Sequence, residues 1–365
     1  MTEYRFKVCE LISGDFLNEY PLTLETDITR LLQAYGEGTL QLPLFDILGK
    51  PVSTTWRQDI LPWRSLILVV DQDDRIVWHG IPCQRPKSSA NVVRYPCRTI
   101  EAYLVERYVP TMSFQQADQT SEMFRQLVAV AGNSIGMEYD CPPSGRLRDR
   151  DYAIDENARV YDRINELAAL ADGFNWTIDV VWGDDDHTFV RKIARTGYPY
   201  LGNRDPDPAH YFEYGPRGGN LDDFDHDDDW SSGNAATHVV AVGEGEGDSK
   251  VMSEPVIDTV REAAGWPRLE ARKSFSNVKT QDTIDSHARA VAAQLFGGQN
   301  IIELHARNPG PREDFTRLGD FGLGDTARVI IDSPSTVLDE VWPVVGWSLS
   351  TTSGIYKPVL AKIGE

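Results

Sequence analysis

The phrase LILVVDQDDRIVWHGIPCQ, Leu66 to Gln84, returns in looser form near the end of the chain as ARVIIDSPSTVLDEVWPVVGWSL, Ala327 to Leu349. In each copy an apolar run (Leu66 to Val70, Val329 to Ile331) meets a polar turn opened by Asp71 or Asp332. A return strand follows, holding a tryptophan just ahead of a glycine: Trp78 with Gly80, Trp342 with Gly346. Run, turn and run is the pattern of a β-hairpin. Two such hairpins, one early and one late, predict two related β modules in one chain. A duplicated module points to assembly architecture more than to an active site.

The 365 residues leave room for two or three compact units if a domain takes about 150. An apolar content of 41% with 10% aromatics is enough to fill real cores, so the chain is expected to fold throughout. The excess of 56 acidic over 36 basic residues gives a formal charge of -20, which argues against a surface that seeks phosphates or anionic lipid. No apolar run approaches the roughly 20 residues that span a bilayer, and the opening MTEYRFKVCE lacks the charged-then-apolar plan of a signal peptide. A soluble product made in a cytoplasm is expected. Cys9, Cys83, Cys97 and Cys141 form no CxxC pair and no zinc spacing. A cross-strand disulfide between Cys83 and Cys97 is geometrically conceivable, but a reducing compartment favours thiols.

Short alternating segments broken by Gly, Pro and Asp run from Tyr4 to Val109, interrupted by a helix expected at Asp27–Tyr35; this reads as a sandwich or small barrel. Residues 111–205 change character. Met123, Phe124, Leu127, Val128 and Ala131 recur at helical spacing, with Asp118 as cap and Gly132 placed for a left-handed C-terminal residue. A second helix is expected from Asn157 to Asp172, its stripe Val160, Ile164, Leu167 and Ala171, followed by a hairpin of NWTIDVVW and TFVRKIA around Gly183–His187. Further on, THVVAVGEGEG reads as a strand entering a glycine-rich loop, and a third helix spans Asp282 to Phe296 with His287 on its inner stripe. The predicted fold class is mainly β with α+β. Residues 1–110 form a first β domain, a sandwich or small barrel, 111–205 an α+β accessory domain, 206–248 with 299–365 a second β unit, and 249–298 a helix-containing insertion.

The motifs that could carry chemistry weaken on inspection. Gly132-Asn133-Ser134-Ile135-Gly136 matches the GxSxG nucleophile elbow, but a helix precedes it where a strand is required. The run Asp222–Asp229 gives Asp223, Asp225 and Asp227 the alternation of an EF-hand loop, yet Asp228 stands where Gly is needed and Asn234 where Glu is needed. It reads as a solvated loop or acidic contact surface, with an adventitious divalent ion as the alternative. Gly243–Lys250 meets neither the GxxxxGK[ST] nor the GxGxxG spacing, and its acids would repel an anion. The seven histidines include no HExxH, and Arg146, Arg148 and Arg150 alternate with Asp149 and Asp151, which favours self-pairing. No catalytic, cofactor-binding or metal-ligating residue is assigned, and no cofactor is expected.

Several phrases in order along the chain resemble a known family: LPLFD (Leu42 to Asp46), ILPWRSLILVVDQDDRIVWHGI (Ile60 to Ile81), TIEAYLVERYV (Thr99 to Val109), DGFNWTI (Asp172 to Ile178), FEYGPRGGNLDDF (Phe212 to Phe224), ATHVVAVGEGEG (Ala236 to Gly247) and LGDFGLGDTARVII (Leu318 to Ile331). The succession resembles the tail-hub or tail-associated minor tail proteins of long-tailed bacteriophages, especially those of actinobacterial hosts, and is similar to contractile-phage baseplate hubs.

That resemblance implies two barrel-type tube domains in one chain, with helix-containing accessory domains. It implies a homotrimer whose six quasi-equivalent barrels match a sixfold tail tube above and offer a threefold surface below. The implied partners are the distal tail protein, the C-terminus of the tape-measure protein and other tail-tip or receptor-binding proteins, with DNA only in passage through an acidic lumen. The implied place is the virion tail tip, assembled in the host cytoplasm, and the implied role is genome ejection without catalysis. The competing readings are a cell-wall hydrolase acting through Ser134 or a carboxylate pair, and an adhesin using Trp176, Trp182 and Trp230.

Overall fold

The structure, a computed structural model, describes residues 4–46, 48–84, 86–170, 172–216, 218–244, 250–275, 280–308, 315–351 and 354–361. It is mainly β with a minority of helix. Two compact units divide the chain: one holds residues 1–168, 174–223 and 304–358, the other 169–173, 224–303 and 359–365.

The first repeated hairpin sits in the middle of an eight-stranded N-terminal sheet. Its strand order is Phe16–Tyr20, Arg5–Glu10, Ser65–Val70, Ile76–Pro82, Val92–Arg98, Glu37–Pro43 and Thr23–Leu24, with Lys87–Ser88 also on Val92–Arg98. All six residues of Ser65–Val70 are buried, as a near-continuous apolar run requires when both faces of a strand are covered. The turn is closed by the buried Asp71 carboxylate, which accepts from the Asp73 and Arg75 N–H groups at 2.9 Å and from Arg75 Nε at 2.8 Å.

The second hairpin, Thr326–Asp332 with Val337–Leu349, is likewise central in a seven-stranded C-terminal sheet. There the order is Tyr211–Tyr214, Thr326–Asp332, Val337–Leu349, Ile355–Ala361, Gln299–Arg307 and Leu221–Asp229, with Ile28–Leu31 paired to Val337–Leu349. Both segments form antiparallel hairpins, and their flanks differ. Arg5–Glu10 runs antiparallel to the first hairpin, whereas Tyr211–Tyr214 runs parallel to the second. The turn residue differs too, since Ser333 rather than Asp332 closes the second turn against Thr336.

The tryptophan–glycine pairs share burial but not surroundings. Trp78 folds its indole over Gly80, where a Cβ would lie 2.1 Å from Cη2, and Trp78 Nε1 donates to Thr29 O at 2.9 Å. Trp342 Nε1 donates to Glu340 instead, and Gly346 opens space for Leu31, which lies opposite it in the ladder. Both hairpins therefore reach the same short strand, Ile28–Leu31. The helix expected at Asp27–Tyr35 is absent because these residues pair with Leu349–Gly346, and non-local ladder bonds override a weak helical preference.

Residues 112–197 form the α+β segment. Met112–Asp118 pairs with Leu147–Tyr152, and Met137–Asp140, Val190–Gly197 and Asn175–Trp182 make a three-stranded sheet. Asp118 caps a π-turn, Gln119–Phe124, that leads into the α-helix Arg125–Gly132. Gly132 is helical (φ -62°) rather than the left-handed stop; a 3₁₀ turn continues the helix, and Gly136 (φ +63°) ends it. Gly132 is still needed, since a Cβ there would meet Met137 Cβ and Tyr139 Oη at 2.9 Å. The second helix is shorter than expected, Val160–Ala168, and Ala171 lies outside the described residues. Phe124, Phe174 and Trp176 meet edge-on and tilted at 5.5–6.0 Å in its core.

The smaller unit packs helix Gln281–Leu295 on a three-stranded sheet of Val256–Ile257, His238–Val242 and Glu270–Ser274. Ile284, Ala288 and Ala292 fall on one helical stripe and bury against Val239 and Ala241. His287 is buried on that stripe and stacks on Phe275 at 4.0 Å. Among the described residues no helix is long and apolar enough to cross a membrane.

Candidate functional site

The outer edge of strand Asn175–Trp182, in the larger unit, is bonded by side chains from several other elements. Its inner edge pairs with Val190–Gly197. An edge strand left bare invites pairing with another chain, and here side chains and a turn of the N-terminal segment cover it. Gln33 N–H donates to Trp176 O at 3.1 Å and Gln33 Nε2 to Phe174 O at 3.1 Å. Arg30 Nη2 donates to Thr177 Oγ1 and Ile178 O at 3.0 Å and to Asp179 Oδ1 at 3.3 Å. Ile178 N–H donates to Glu101 Oε1 at 3.1 Å, and His79 Nε2 lies 3.2 Å from Ile178 O.

Arg30 joins three parts of the unit. Its backbone lies in the strand paired opposite Trp347, its guanidinium reaches the α+β segment, and Glu101 of the 3₁₀ helix Ile100–Glu106 is 3.7 Å away. Burial raises the Glu101 carboxyl, and the Arg30 guanidinium opposes that shift. Burial pushes the His79 imidazole well below the usual histidine range, reinforced by Arg30.

A second tie runs through Lys192, whose buried ammonium donates to Leu11 O and Ile12 O at 2.9 Å each. Desolvation lowers its pKa. Beside it the tip of the hairpin Arg5–Glu10 with Phe16–Tyr20 pairs with the start of strand Val190–Gly197: Phe16 N–H donates to Thr188 O, and Val190 N–H to Gly14 O. An open groove of about 580 Å³ lies here, lined by Arg5, Lys7, Phe16, Asp74, His187 and Thr188 among others. Trp182 stacks on His187 at 4.4 Å, with Lys7 Nζ 4.9 Å from the indole centroid.

The residues flagged by motif are dispersed. Ser134 Oγ donates to Ala131 O at 2.7 Å and lies 2.9 Å from Tyr103 Oη and 3.2 Å from Arg107 Nη1, so its partners are a carbonyl, a phenol and a guanidinium rather than an imidazole. The acidic run is not a loop: Leu221–Asp229 is a strand at the end of the C-terminal sheet. Residues two apart in a strand are separated by about 6.4–6.8 Å along it, so Asp223, Asp225 and Asp227 stand in a row and do not wrap an ion as an EF-hand loop does. Residues 245–249 of the glycine-rich loop lie outside the described residues. Asp149 and Asp151 accept from Gln116 and Ser113 on the neighbouring strand, and Arg148 Nε donates to Gln119. All four cysteines are free; Cys97 stands opposite Pro82 in the ladder and Cys83 N–H donates to Pro96 O, an offset of one residue. Trp176 is a core residue, Trp182 lies beside the groove, and Trp230 packs on Trp266 at 4.5 Å.

No family model and no curated protein sequence matches the chain. Solved structures do. The tail protein from Neisseria meningitidis MC58 superposes with a TM-score of 0.61 at 16% identity, covering 98% of this chain and 96% of that one. The 43 kDa tail protein of prophage MuSo2 from Shewanella oneidensis gives 0.62 at 12%, covering 98% of both chains. The fold is that of these tail proteins. Prophage tail protein gp18 from Listeria monocytogenes EGD-e shares this tail-protein fold at 0.54 and 10% identity, over 99% of this chain and 95% of that one. So does the E. coli c3393 protein, a type VI secretion component described as structurally similar to T4 tail proteins gp27 and gp5, at 0.53 and 9%.

The sequence reading missed Arg30, Glu101 and Lys192. A signal existed for His79: a polar residue inside the fully buried run VWHGI must find a buried partner.

Proposed function

We propose that this chain is a structural hub protein of a phage tail tip, three copies of which form a ring that closes the tail tube. The observation that carries the reading is end-to-end likeness of fold to phage and prophage tail proteins, combined with two large sheets that each hold an interior antiparallel hairpin. Residues 1–110 and 206–248 with 299–365 serve as the two tube domains in this reading, except that strand His238–Val242 packs with the accessory segment 249–298; 111–205 is the other accessory segment. Two tube domains per chain let three chains imitate a sixfold ring while keeping a threefold lower face. The distal tail protein would sit above, the end of the tape-measure protein inside, and other tail-tip proteins below. The charge of -20 supports passage of DNA over the wall without adhesion.

Native mass spectrometry and negative-stain imaging test this, alone and with the distal tail protein of the same particle. The expected species has three times the 41.0 kDa chain mass, and its end-on view shows six similar densities about a channel. A chain that stays monomeric in both conditions overturns the reading.

A further inference from the structure

Ile178 has both of its outward backbone groups held by ionisable side chains: its N–H by Glu101 Oε1, its carbonyl by Arg30 Nη2 and His79 Nε2. A carbonyl can only accept, so His79 carries a proton on Nε2, and with no acceptor facing Nδ1 that proton is its only one and the ring is neutral. Its Nδ1 is then a bare acceptor, buried with no hydrogen-bond partner, and Glu101 Oε2 is buried in the same state. His79 itself is 0% exposed, in the middle of the buried strand Ile76–Pro82.

We propose that this cluster is an acid-sensitive latch: a second proton on His79 releases strand Asn175–Trp182 from strand Ile76–Pro82 and from the segment Arg30–Gln33. In the closed form that proton finds no acceptor at Nδ1 and places a second cation beside the Arg30 guanidinium, a buried charge without compensation. Once the seam opens and water reaches the ring, His79 takes the proton at its ordinary value near 6.5. Opening is therefore coupled to proton uptake, and the open population grows by up to about tenfold for each pH unit below that value.

The charged groups facing His79 come from three elements. Arg30 on Ile28–Leu31 is permanently cationic. Asp179 on Asn175–Trp182 is 3.3 Å from Arg30 and 3.5 Å from Arg195, which keeps it engaged by cations. Glu101 on Ile100–Glu106 acts in the opposite sense, because acid neutralises a carboxylate that burial disfavours and so supports the closed form. The depressed affinity of His79 for a proton agrees with the geometry. The latch stands independently of the hub reading.

Hydrogen–deuterium exchange of the Asn175–Trp182 strand, corrected for intrinsic rates, tests it between pH 7.5 and 5.5. Protection is expected to fall by up to about tenfold per unit below pH 6.5 in the native chain and to stay flat or rise in His79→Gln, where the opposing Glu101 remains. Helix Arg125–Gly132 keeps its protection in both proteins. Equal slopes in the two proteins, or parallel loss in that helix, overturn the latch. Should His79→Gln not fold, histidine-labelled NMR of the native chain decides. The His79 ring is expected to stay neutral for as long as the strand is protected; titration near 6.5 with the strand still protected overturns the proposal.

Discussion

Replacing Asp118 with Ala removes the most heavily used carboxylate in the α+β segment. Its Oδ1 accepts from Thr120 N–H at 3.0 Å, Thr120 Oγ1 at 2.8 Å, Ser121 N–H at 2.9 Å and Ser144 N–H at 3.2 Å, and its Oδ2 from Ser144 Oγ at 3.0 Å and Gly145 N–H at 2.7 Å. One side chain thus caps the π-turn and fixes the loop before Leu147–Tyr152. Loss of a helix cap costs about 1 kcal/mol, and stranding two or three buried donors costs about 1–3 kcal/mol each, with water recovering part. A net destabilisation of about 3–5 kcal/mol follows.

Burial pushes the Asp118 carboxyl up, but the Ser121, Thr120 and Ser144 donors outweigh it and hold the group well below the usual carboxylate range. A depressed folded value means the unfolded chain binds the proton first. The stabilisation is therefore complete above the ordinary aspartate value of about 3.9 and fades as pH falls below it, by about 1.4 kcal/mol per unit. Urea unfolding followed by amide exchange of Arg125–Gly132 reads both effects. Asp118→Ala should lower the midpoint at pH 7 and flatten its decline between pH 4 and 2.5. A variant within about 1 kcal/mol of the native chain at pH 7, or one with an undiminished acid slope, refutes the account.

Gly80→Ala drives a Cβ into the Trp78 indole, so a loss of about 2–3 kcal/mol with a red shift of tryptophan emission is expected. An unchanged spectrum and midpoint would contradict the packing. Lys192→Met leaves the Leu11 and Ile12 carbonyls without their donor while sparing the cost of burying an ammonium, a net loss of about 2 kcal/mol. Faster exchange confined to Phe16 and Val190 is its signature, and unaltered exchange at both would count against the tie.

Much of the architecture was legible because it rests on local pattern. Ser65–Val70 is apolar on both faces and declares a central strand; Ile284, His287 and Ala288 declare a helix stripe. What was hidden depends on partners far along the chain. Residues Asp27–Tyr35 carry a helical composition, and only pairing with Gly346–Leu349 makes part of them a strand. Asp222–Asp229 has the composition of a loop, since Asp is depleted in strands, yet it closes one edge of a sheet. Gly132 illustrates a finer failure: two glycines four apart both suit a helix end, and the close approach of Met137 decides which one is the stop. Arg30 and Glu101 look like surface charges in sequence, because nothing near them in the chain announces the Ile178 backbone they bind.

The strand Ile28–Leu31 sets an order on biosynthesis. Its ladder partner, Gly346–Leu349, and Thr351, whose N–H donates to Asp27 Oδ1, leave the ribosome long after it. Tyr4 waits as long, for Asn308. A nascent N-terminal module therefore emerges with one seam unclosed, and a chain that stops short of Gly346 cannot close it.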